Sequence, residues 1–204
     1  MKRMEKVKKS VAHINSNKSL KEKDLFCHGG GHCQTLNKKL TYKKVPESDR
    51  QQLRDLIDTV IKGLHNSDYF VPYAQWELDS MFDEVNYAYL YGAYDGDKLV
   101  GMMQLYVSQK MVADMKEACG LSEYKVCELG CALILREYRG LGVAVHLGLM
   151  LWNLAKELGF DYMIAAAHPD NKSSWKTLDR VSDCLKEVTL PDGSLRKLYV
   201  RKLH

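Results

Sequence analysis

An arginine and two glycines lie between an apolar segment and a long helix-like segment. The residues are Arg139, Gly140, Leu141, Gly142, Val143 and Ala144. Glycines let backbone N–H groups approach a ligand closely, and the first N–H groups of a helix have no partner inside the helix. Arg139 adds a permanent positive charge at the positive end of the helix dipole. The pattern therefore predicts a turn that binds a pyrophosphate.

Three other phosphate-binding patterns do not fit this turn. A P-loop requires Gly-x-x-x-x-Gly-Lys followed by Ser or Thr, and the chain contains no such run. A dinucleotide fingerprint requires Gly-x-Gly-x-x-Gly, but after Gly140 and Gly142 the next glycine, Gly148, does not continue the spacing. The motif set of protein kinases is also missing.

Aromatic and acidic side chains cluster upstream, in a stretch that reads as a turn followed by a helix. They are Asp68, Tyr69, Phe70, Tyr73, Trp76 and Glu77. Aromatic faces and carboxylates attract cations, so the cluster is a candidate seat for a cationic amine. The alternative is that these aromatic residues, at helical spacing, belong to the core.

The elements that must position these residues alternate between strand and helix patterns from Leu40 onward. Their predicted order is β-α-α-β-β-β-α-β-α-β-β, an α/β domain with a mixed sheet of about six to seven strands. The turn joins the strand Lys125–Leu135 to a helix over 142–158. The candidate core positions of that helix are Val145, Leu149, Leu151, Trp152 and Leu154.

In this context the chain resembles the GNAT acetyltransferase superfamily. Arg139, Gly142 and Ala144 match the signature Arg/Gln-x-x-Gly-x-Gly/Ala between a strand and a helix. Further similar runs are Glu128-Leu129-Gly130, Glu137-Tyr138-Arg139-Gly140, and Ala167-His168-Pro169-Asp170-Asn171 with Ser174 and Leu178. The resemblance covers about residues 40–203 and implies a GNAT-like sheet flanked by helices.

The resemblance also implies which residues hold a cofactor. Acetyl-CoA would be the co-substrate, and no metal is expected. The backbone of Leu133, Ile134 and Leu135 would pair with the pantetheine arm, and Arg139–Ala144 would bind the pyrophosphate. Asn171 and Ser174 would lie beside the cofactor near its thiol end.

Acetyl transfer to an amine also needs a base, because an amine with a pKa near 10 is protonated at neutral pH. Glu128 matches a glutamate that serves as this base in some family members, while its alternative is a structural strand residue. Many members carry a tyrosine at the position of Leu178, as the acid for the departing thiolate. Leucine cannot donate a proton, so another group or water must do so if the chain is an enzyme.

Residues 1–38 lie outside the resemblance and form a predicted basic N-terminal extension to a domain over 39–204. Residues 1–24 carry eight Lys or Arg against three Asp or Glu, whereas the whole chain has a net charge of only +4. A nearly neutral domain and the lack of a long apolar run predict neither nucleic-acid nor membrane partners. Within the extension, Cys27-His28 and His32-Cys33 could bind a metal, although a flexible turn is the default interpretation.

Three functions remain open from the sequence, and the third of them is a metal-dependent or nucleic-acid-binding protein built on residues 1–38. The first is an acetyl-CoA-dependent N-acetyltransferase that moves an acetyl group directly to a primary amine of a small molecule or protein. The alternative is a non-catalytic, acyl-CoA-binding regulatory module of GNAT type, which Leu178 and the basic extension favour. The cysteines near apolar segments indicate a reducing, cytoplasmic setting. Dimers are common in families of this kind, so a homodimer is one expected oligomeric state.

Overall fold

A seven-stranded mixed sheet organises residues 39–204, the part of the chain that the computed structural model describes. Its strands are β1 Thr41–Lys44, β2 Ala88–Asp95, β3 Lys98–Tyr106, β4 Val126–Ile134, β5 Tyr162–Ala167, β6 Asp183–Thr189 and β7 Leu195–Lys202. They lie in the order β1-β2-β3-β4-β5-β7-β6. Among these strands β4 and β5 are a parallel pair, and the other neighbours are antiparallel.

Helices cover both faces of this sheet. They are α1 Arg50–Lys62, α2 Gln75–Ser80, α3 Ala113–Ala118, α4 Val143–Glu157 and α5 Lys172–Val181. The predicted α/β class, the strand number and the order of elements are confirmed. The helix α3 is a short addition within the connection between β3 and β4.

The core-facing side of α4 differs from the predicted one. Its buried residues are Val143, Leu147, Leu151 and Ala155, which recur every four positions and so form one stripe along the helix. Of the predicted core positions only Leu151 is fully buried, and Val145, Leu149, Trp152 and Leu154 are half-buried. The prediction was right for Leu151, Trp152 and Leu154, which are in the core or pack against it, and wrong for Val145 and Leu149. Almost every position of this helix is apolar, so the sequence shows no sharp polar face.

The two faces of the sheet carry different helices. A Cβ atom at Gly101 would lie 3.2 Å from Val143, and one at Gly148 would lie 3.8 Å from the sulfur of Met103. These contacts place α4 on the Gly101–Met103 face. Side chains alternate along a strand, so Gln104 projects from the opposite face, and there the segment between α1 and α2 contacts it through Tyr73. This opposite face is called the α1 face below.

A β-bulge interrupts β4 in its middle. Gln104 pairs with Gly130 and Met102 pairs with Leu133, so Cys131 and Ala132 together oppose the single residue between those two β3 positions. Cys131 has a φ of 52°, in the left-handed region that non-glycine residues rarely adopt. The bulge reverses the alternation of β4, since Glu128 and Gly130 lie on the α1 face before it and Leu133 lies there after it.

Candidate active site

The two parallel strands separate halfway along their length and leave a cleft. Val126, Cys127 and Glu128 pair with β5, and beyond Glu128 the pairing ends although both strands continue. The cleft has a volume of about 1270 Å³. Its walls include the end of β4, the following turn, the end of β5 and the start of α5. The backbone that faces the cleft has no strand opposite it and is free to pair with an extended ligand.

Arg139–Ala144, called the phosphate turn below, forms one end of this cleft. Gly140 and Gly142 both have a φ of 78°, a conformation that glycine adopts without strain. A Cβ atom added at either glycine would meet no other atom within 4 Å, so both glycines border open space. Gly142 is the N-cap of α4, and the first turn of that helix contains no acidic residue.

Two hydrogen bonds hold the phosphate turn in place. The Tyr138 hydroxyl donates to Asp95 Oδ2 over 2.6 Å, and Arg139 Nε donates to the Ile134 carbonyl over 3.0 Å. Arg139 itself is exposed on the cleft wall. A fifteen-residue helix with free N-terminal N–H groups, a nearby guanidinium and no competing carboxylate together suit a bound pyrophosphate.

The end of β4 supplies the wall beside the phosphate turn. The Leu135 N–H donates to Val100 on the β3 side, and Leu133 pairs with Met102 on the same side. Backbone groups alternate between the two edges of a strand, so the N–H and C=O of Ile134 point away from β3. The C=O accepts from Arg139 Nε, and the N–H is the group left for a ligand. Leu133 and Leu135 are buried, and β4 ends at Ile134, so one residue of the predicted strand lies just beyond it.

The start of α5 forms the wall opposite β4. Asn171 caps this helix, because its side chain accepts a hydrogen bond of 3.2 Å from the Ser174 N–H. Asn171, Ser174 and Leu178 all line the cleft, together with the phosphate turn. The structure therefore brings the predicted cofactor residues of two distant segments together around one cavity. Leu178, the position without a proton donor, is part of that cavity.

Glu128 lies at the fork where β4 and β5 part. It pairs with Tyr106 on β3 and with Ile164 on β5. Burial raises the pKa of its carboxyl from 4.5 to about 8, because the low-polarity surroundings disfavour the charged form. The lining of the cleft begins at Cys131, three residues further along β4. A carboxyl group with a pKa near neutral pH, next to a cleft, has the properties of a general base.

A polar cluster on the α1 face was not predicted from the sequence. The Gln104 side-chain oxygen accepts hydrogen bonds from Tyr73, over 2.5 Å, and from Tyr106, over 2.9 Å. The Tyr106 hydroxyl also lies 2.9 Å from Cys131 Sγ. Gln104 Nε2 is buried without a hydrogen-bond partner among the described residues. The strand pattern around position 104 is otherwise apolar, so the buried glutamine was the one signal that could have indicated the cluster.

The predicted substrate residues divide into two groups. Tyr69 and Phe70 line the cleft, and the Tyr69 hydroxyl donates to the Asp170 carbonyl over 3.0 Å. The other three have structural partners and are not on the cleft wall. Tyr73 bonds Gln104, Glu77 accepts from the Ala74 N–H over 2.7 Å, and Trp76 contacts the ring of Tyr87 edge-on. Their role with a substrate stays a prediction.

Two further expectations concern metals and membranes. The Cys27–Cys33 motif lies outside the described residues. Within residues 39–204, no group of three or more His, Cys, Asp or Glu side chains is arranged to hold a metal ion. None of the helices in this part of the chain has the length and apolarity needed to cross a membrane.

Comparison with known proteins agrees with this geometry. The sequence model of the acetyltransferase (GNAT) family matches residues 59–181. The match spans more than half of the chain, and the chain belongs to the GNAT acetyltransferase family. A search of curated proteins finds no match.

Solved structures show the same fold at low sequence identity. An N-acetyltransferase from Staphylococcus aureus Mu50 is 16% identical with a TM-score of 0.63, over 81% of this chain and 99% of that one. An N-acyl amino acid synthase from uncultured soil microbes is 15% identical with a TM-score of 0.59, over 81% and 91%. N-acetylglutamate synthase from Neisseria gonorrhoeae, in complex with coenzyme A and N-acetyl-glutamate, is 16% identical with a TM-score of 0.60, over 81% and 35%.

Proposed function

We propose that this protein is an acetyl-CoA-dependent N-acetyltransferase that moves an acetyl group directly to a primary amine of a small molecule or protein. The observation that carries the proposal is the phosphate turn, with two left-handed glycines and Arg139 at the start of α4, beside a cleft between diverging strands. Family membership supports acyl transfer. Neighbours in complex with coenzyme A support this co-substrate.

The chain's residues have distinct roles in this proposal. The N–H groups at the start of α4 and Arg139 bind the pyrophosphate. The N–H of Ile134 donates to the pantetheine arm, and Asn171 and Ser174 line the opposite wall. These contacts fix the thioester near the fork of β4 and β5. Acetyl-CoA supplies an activated acyl group whose thiolate leaves readily.

Glu128 is the proposed base. Its raised pKa, about 8, means that the carboxyl is mostly protonated at pH 7 and ionised above pH 8. The ionised form accepts a proton from the ammonium group of the acceptor and releases the neutral amine that attacks the thioester carbonyl. Activity should therefore rise with pH through this pKa.

Cys131 supports direct transfer rather than a covalent acyl-enzyme. Its thiol lines the cleft, but burial raises its pKa to about 11. At neutral pH the thiol is therefore protonated, and a protonated thiol is a poor nucleophile. The amine of the acceptor is the nucleophile in this proposal.

The experiment that tests the proposal follows the release of free thiol from acetyl-CoA in the presence of a panel of primary amines. We expect saturable turnover with at least one amine. The product should gain about 42 Da, because an acetyl group replaces one hydrogen. Saturable cofactor binding in calorimetry without turnover on any amine would contradict catalysis.

The second candidate is a non-catalytic module that binds acyl-CoA. Leu178 favours it, because a side chain without a proton donor lines the cleft at the position where many family members have tyrosine. The thiol-release assay separates the two, since both bind acetyl-CoA and only the enzyme turns it over. Among the described residues Cys119, Cys127 and Cys131 are free thiols, which supports a reducing, cytoplasmic setting for either candidate.

A further inference from the structure

Arg196 is a buried cation on the wall of the cleft. It lies in β7, and only 8% of its surface is exposed. Its Nη1 donates to the adjacent Leu195 carbonyl over 2.9 Å. The side chain nevertheless lines the cavity that contains the phosphate turn and Leu178. The guanidinium carries five N–H donors, so one bond to a carbonyl leaves most of its hydrogen-bonding capacity available.

No carboxylate within residues 39–204 forms an ion pair with Arg196. The pKa of Asp192, in the turn before β7, is lowered mainly by hydrogen bonds from the N–H and hydroxyl of Ser194. The charge of Arg196 makes a smaller contribution, and the two side chains form no ion pair. The neighbouring cation is different. Lys197 lies 3.7 Å from a Glu187 oxygen and 4.4 Å from the ring centre of Trp175. The sequence thus places a paired cation and an unpaired buried cation side by side.

Arg196 and Glu128 project from the same face of the sheet. Glu128 pairs with Ile164, which pairs with Val200, and the register between β5 and β7 has no shift. Arg196 lies four positions before Val200, so it shares the α1 face with them. Lys197 lies on the other face, where it contacts α5 through Trp175. Arg196 is therefore on the side where the proposed base acts.

A buried charge is costly unless an opposite charge compensates it. An arginine that is nine-tenths buried, lines a cleft and lacks a carboxylate partner fits an anion that arrives with a ligand. The planar fork of the guanidinium matches a carboxylate through two parallel hydrogen bonds. We propose that Arg196 binds a carboxylate of the acceptor, so the acceptor is an amine that also carries a carboxylate.

The position of Arg196 favours the acceptor over the cofactor as the source of this anion. The phosphate turn follows β4, whereas Arg196 lies on β7, beyond β5 and on the far side of the cleft. The cofactor phosphates already have a helix N-terminus and Arg139 at the phosphate turn. The acceptor has to approach Glu128, which shares a face with Arg196.

The strand spacing also limits the shape of the acceptor. Four positions along β7 and two strand spacings across separate the Cα atoms of Arg196 and Glu128 by roughly 16 Å. Even if both side chains extend toward each other, an acceptor that places its amine at Glu128 and its carboxylate at Arg196 needs several bonds between these two groups. An acceptor with a carboxylate remote from its amine fits better than the smallest α-amino acid.

This inference rests on the proposed function, and its experiment separates the two. Initial rates are measured for amines matched in length, each as the free carboxylate and as the carboxamide, with the chain between amine and acid varied from one to five carbons. We expect the wild type to prefer the free acids, with the preference largest for the longer ones. Arg196→Met should raise the KM for the acids by roughly 30-fold or more, and should leave the carboxamides unchanged.

Two further variants control for folding and for general loss of charge. Arg196→Lys keeps the cation without the fork, so it should retain part of the preference for acids. Lys197→Met removes the neighbouring, already paired cation and should leave the preference intact. Equal rates for acids and carboxamides in the wild type, or a rise in the KM for acetyl-CoA instead of the acceptor in Arg196→Met, would overturn the inference. Absence of turnover with every amine would instead contradict the proposed function.

Discussion

The phosphate turn and the α1 face, which we propose bind the cofactor and the acceptor, are built in different ways. In the proposed function, the phosphate turn binds the pyrophosphate through backbone N–H groups at the start of α4, together with the one side chain Arg139. The α1 face uses side chains that lie far apart in sequence, among them Gln104, Glu128 and Arg196. The comparison teaches that a ligand common to a whole family can be held by local backbone geometry. The features that would select an acceptor instead depend on long-range packing.

The largest expected effect breaks the phosphate turn. Arg139→Ala combined with Gly142→Asp removes a cation and adds an anion at the N-terminus of α4, where the dipole and free N–H groups favour negative ligands. We expect acetyl-CoA affinity to fall by at least about 100-fold in calorimetry.

The control for that double variant uses the other end of the same helix. Gly159 follows α4 and has a φ of 69° with open space around it, so Gly159→Asp imposes similar backbone strain. It should leave acetyl-CoA affinity unchanged. Unchanged affinity in the double variant would remove the phosphate turn as the cofactor site.

The second effect concerns Glu128, the proposed base on the α1 face. Glu128→Gln should leave acetyl-CoA binding intact and slow turnover by about 100-fold or more above pH 8, because general bases contribute roughly this factor. The wild-type rate should rise with pH and level off above the Glu128 pKa of about 8. The variant lacks that step, and its rate should continue to rise as more of the amine loses its proton.

Turnover rates of the wild type and of Glu128→Gln, measured across a range of pH, test this prediction. Glu137→Gln is the matched control, since Glu137 is an exposed glutamate 3.8 Å from Lys98 on the surface. It should behave as the wild type does. A wild-type profile that Glu128→Gln leaves unaltered in shape would exclude Glu128 as the base.

The third effect concerns the polar cluster under the α1 face. Gln104→Leu leaves the hydroxyls of Tyr73 and Tyr106 without their acceptor, and a buried unsatisfied group costs about 1–3 kcal/mol of unfolding free energy. Urea denaturation measures this loss. The exposed pair Gln51–Asp55 supplies the control, because Gln51→Leu should cost far less. Cofactor affinity should change in neither variant, since the phosphate turn does not depend on this cluster.

The smallest expected effect concerns Cys131. In direct transfer the thiol forms no bond with the acetyl group, so Cys131→Ala should change turnover within about threefold, under 1 kcal/mol in activation free energy. Steady-state rates and intact-protein mass spectra after mixing with acetyl-CoA check this. A loss of turnover together with an acetylated Cys131 in the wild type would replace direct transfer by a covalent intermediate.

The fold and the backbone geometry of the phosphate turn could be predicted because their signals are local. Alternation of strand and helix patterns gave the correct order of elements, and Arg139, Gly142 and Ala144 lie within six residues at a strand-to-helix junction. The glycine pattern specifies backbone angles directly, and the structure shows a φ of 78° at Gly142. The placement of Asn171 and Ser174 opposite that turn depended on the resemblance alone.

The α1 face could not be predicted, since its members become neighbours only through strand pairing. Arg196 lies 68 positions after Glu128 in the sequence, and the two share a face only because β5 lies between their strands. The buried stripe of α4 was predicted only in part, because an almost uniformly apolar helix contains little information about its orientation. In both cases the arrangement is determined by tertiary packing, which the local sequence pattern does not specify.

The bulge at Cys131 and Ala132 has a consequence for changes in chain length. Even-numbered residues of β4 lie on the α1 face before the bulge, and odd-numbered residues lie on that face after it. A change in chain length at the bulge therefore changes which face a side chain occupies. Deletion of Ala132 would restore regular pairing and exchange the faces of either Glu128 or Leu133. A single-residue deletion here would therefore either turn the proposed base away from the α1 face or move Leu133 to the face that α4 covers. Substitution of Ala132 by a larger apolar residue would keep the chain length and so would exchange neither face.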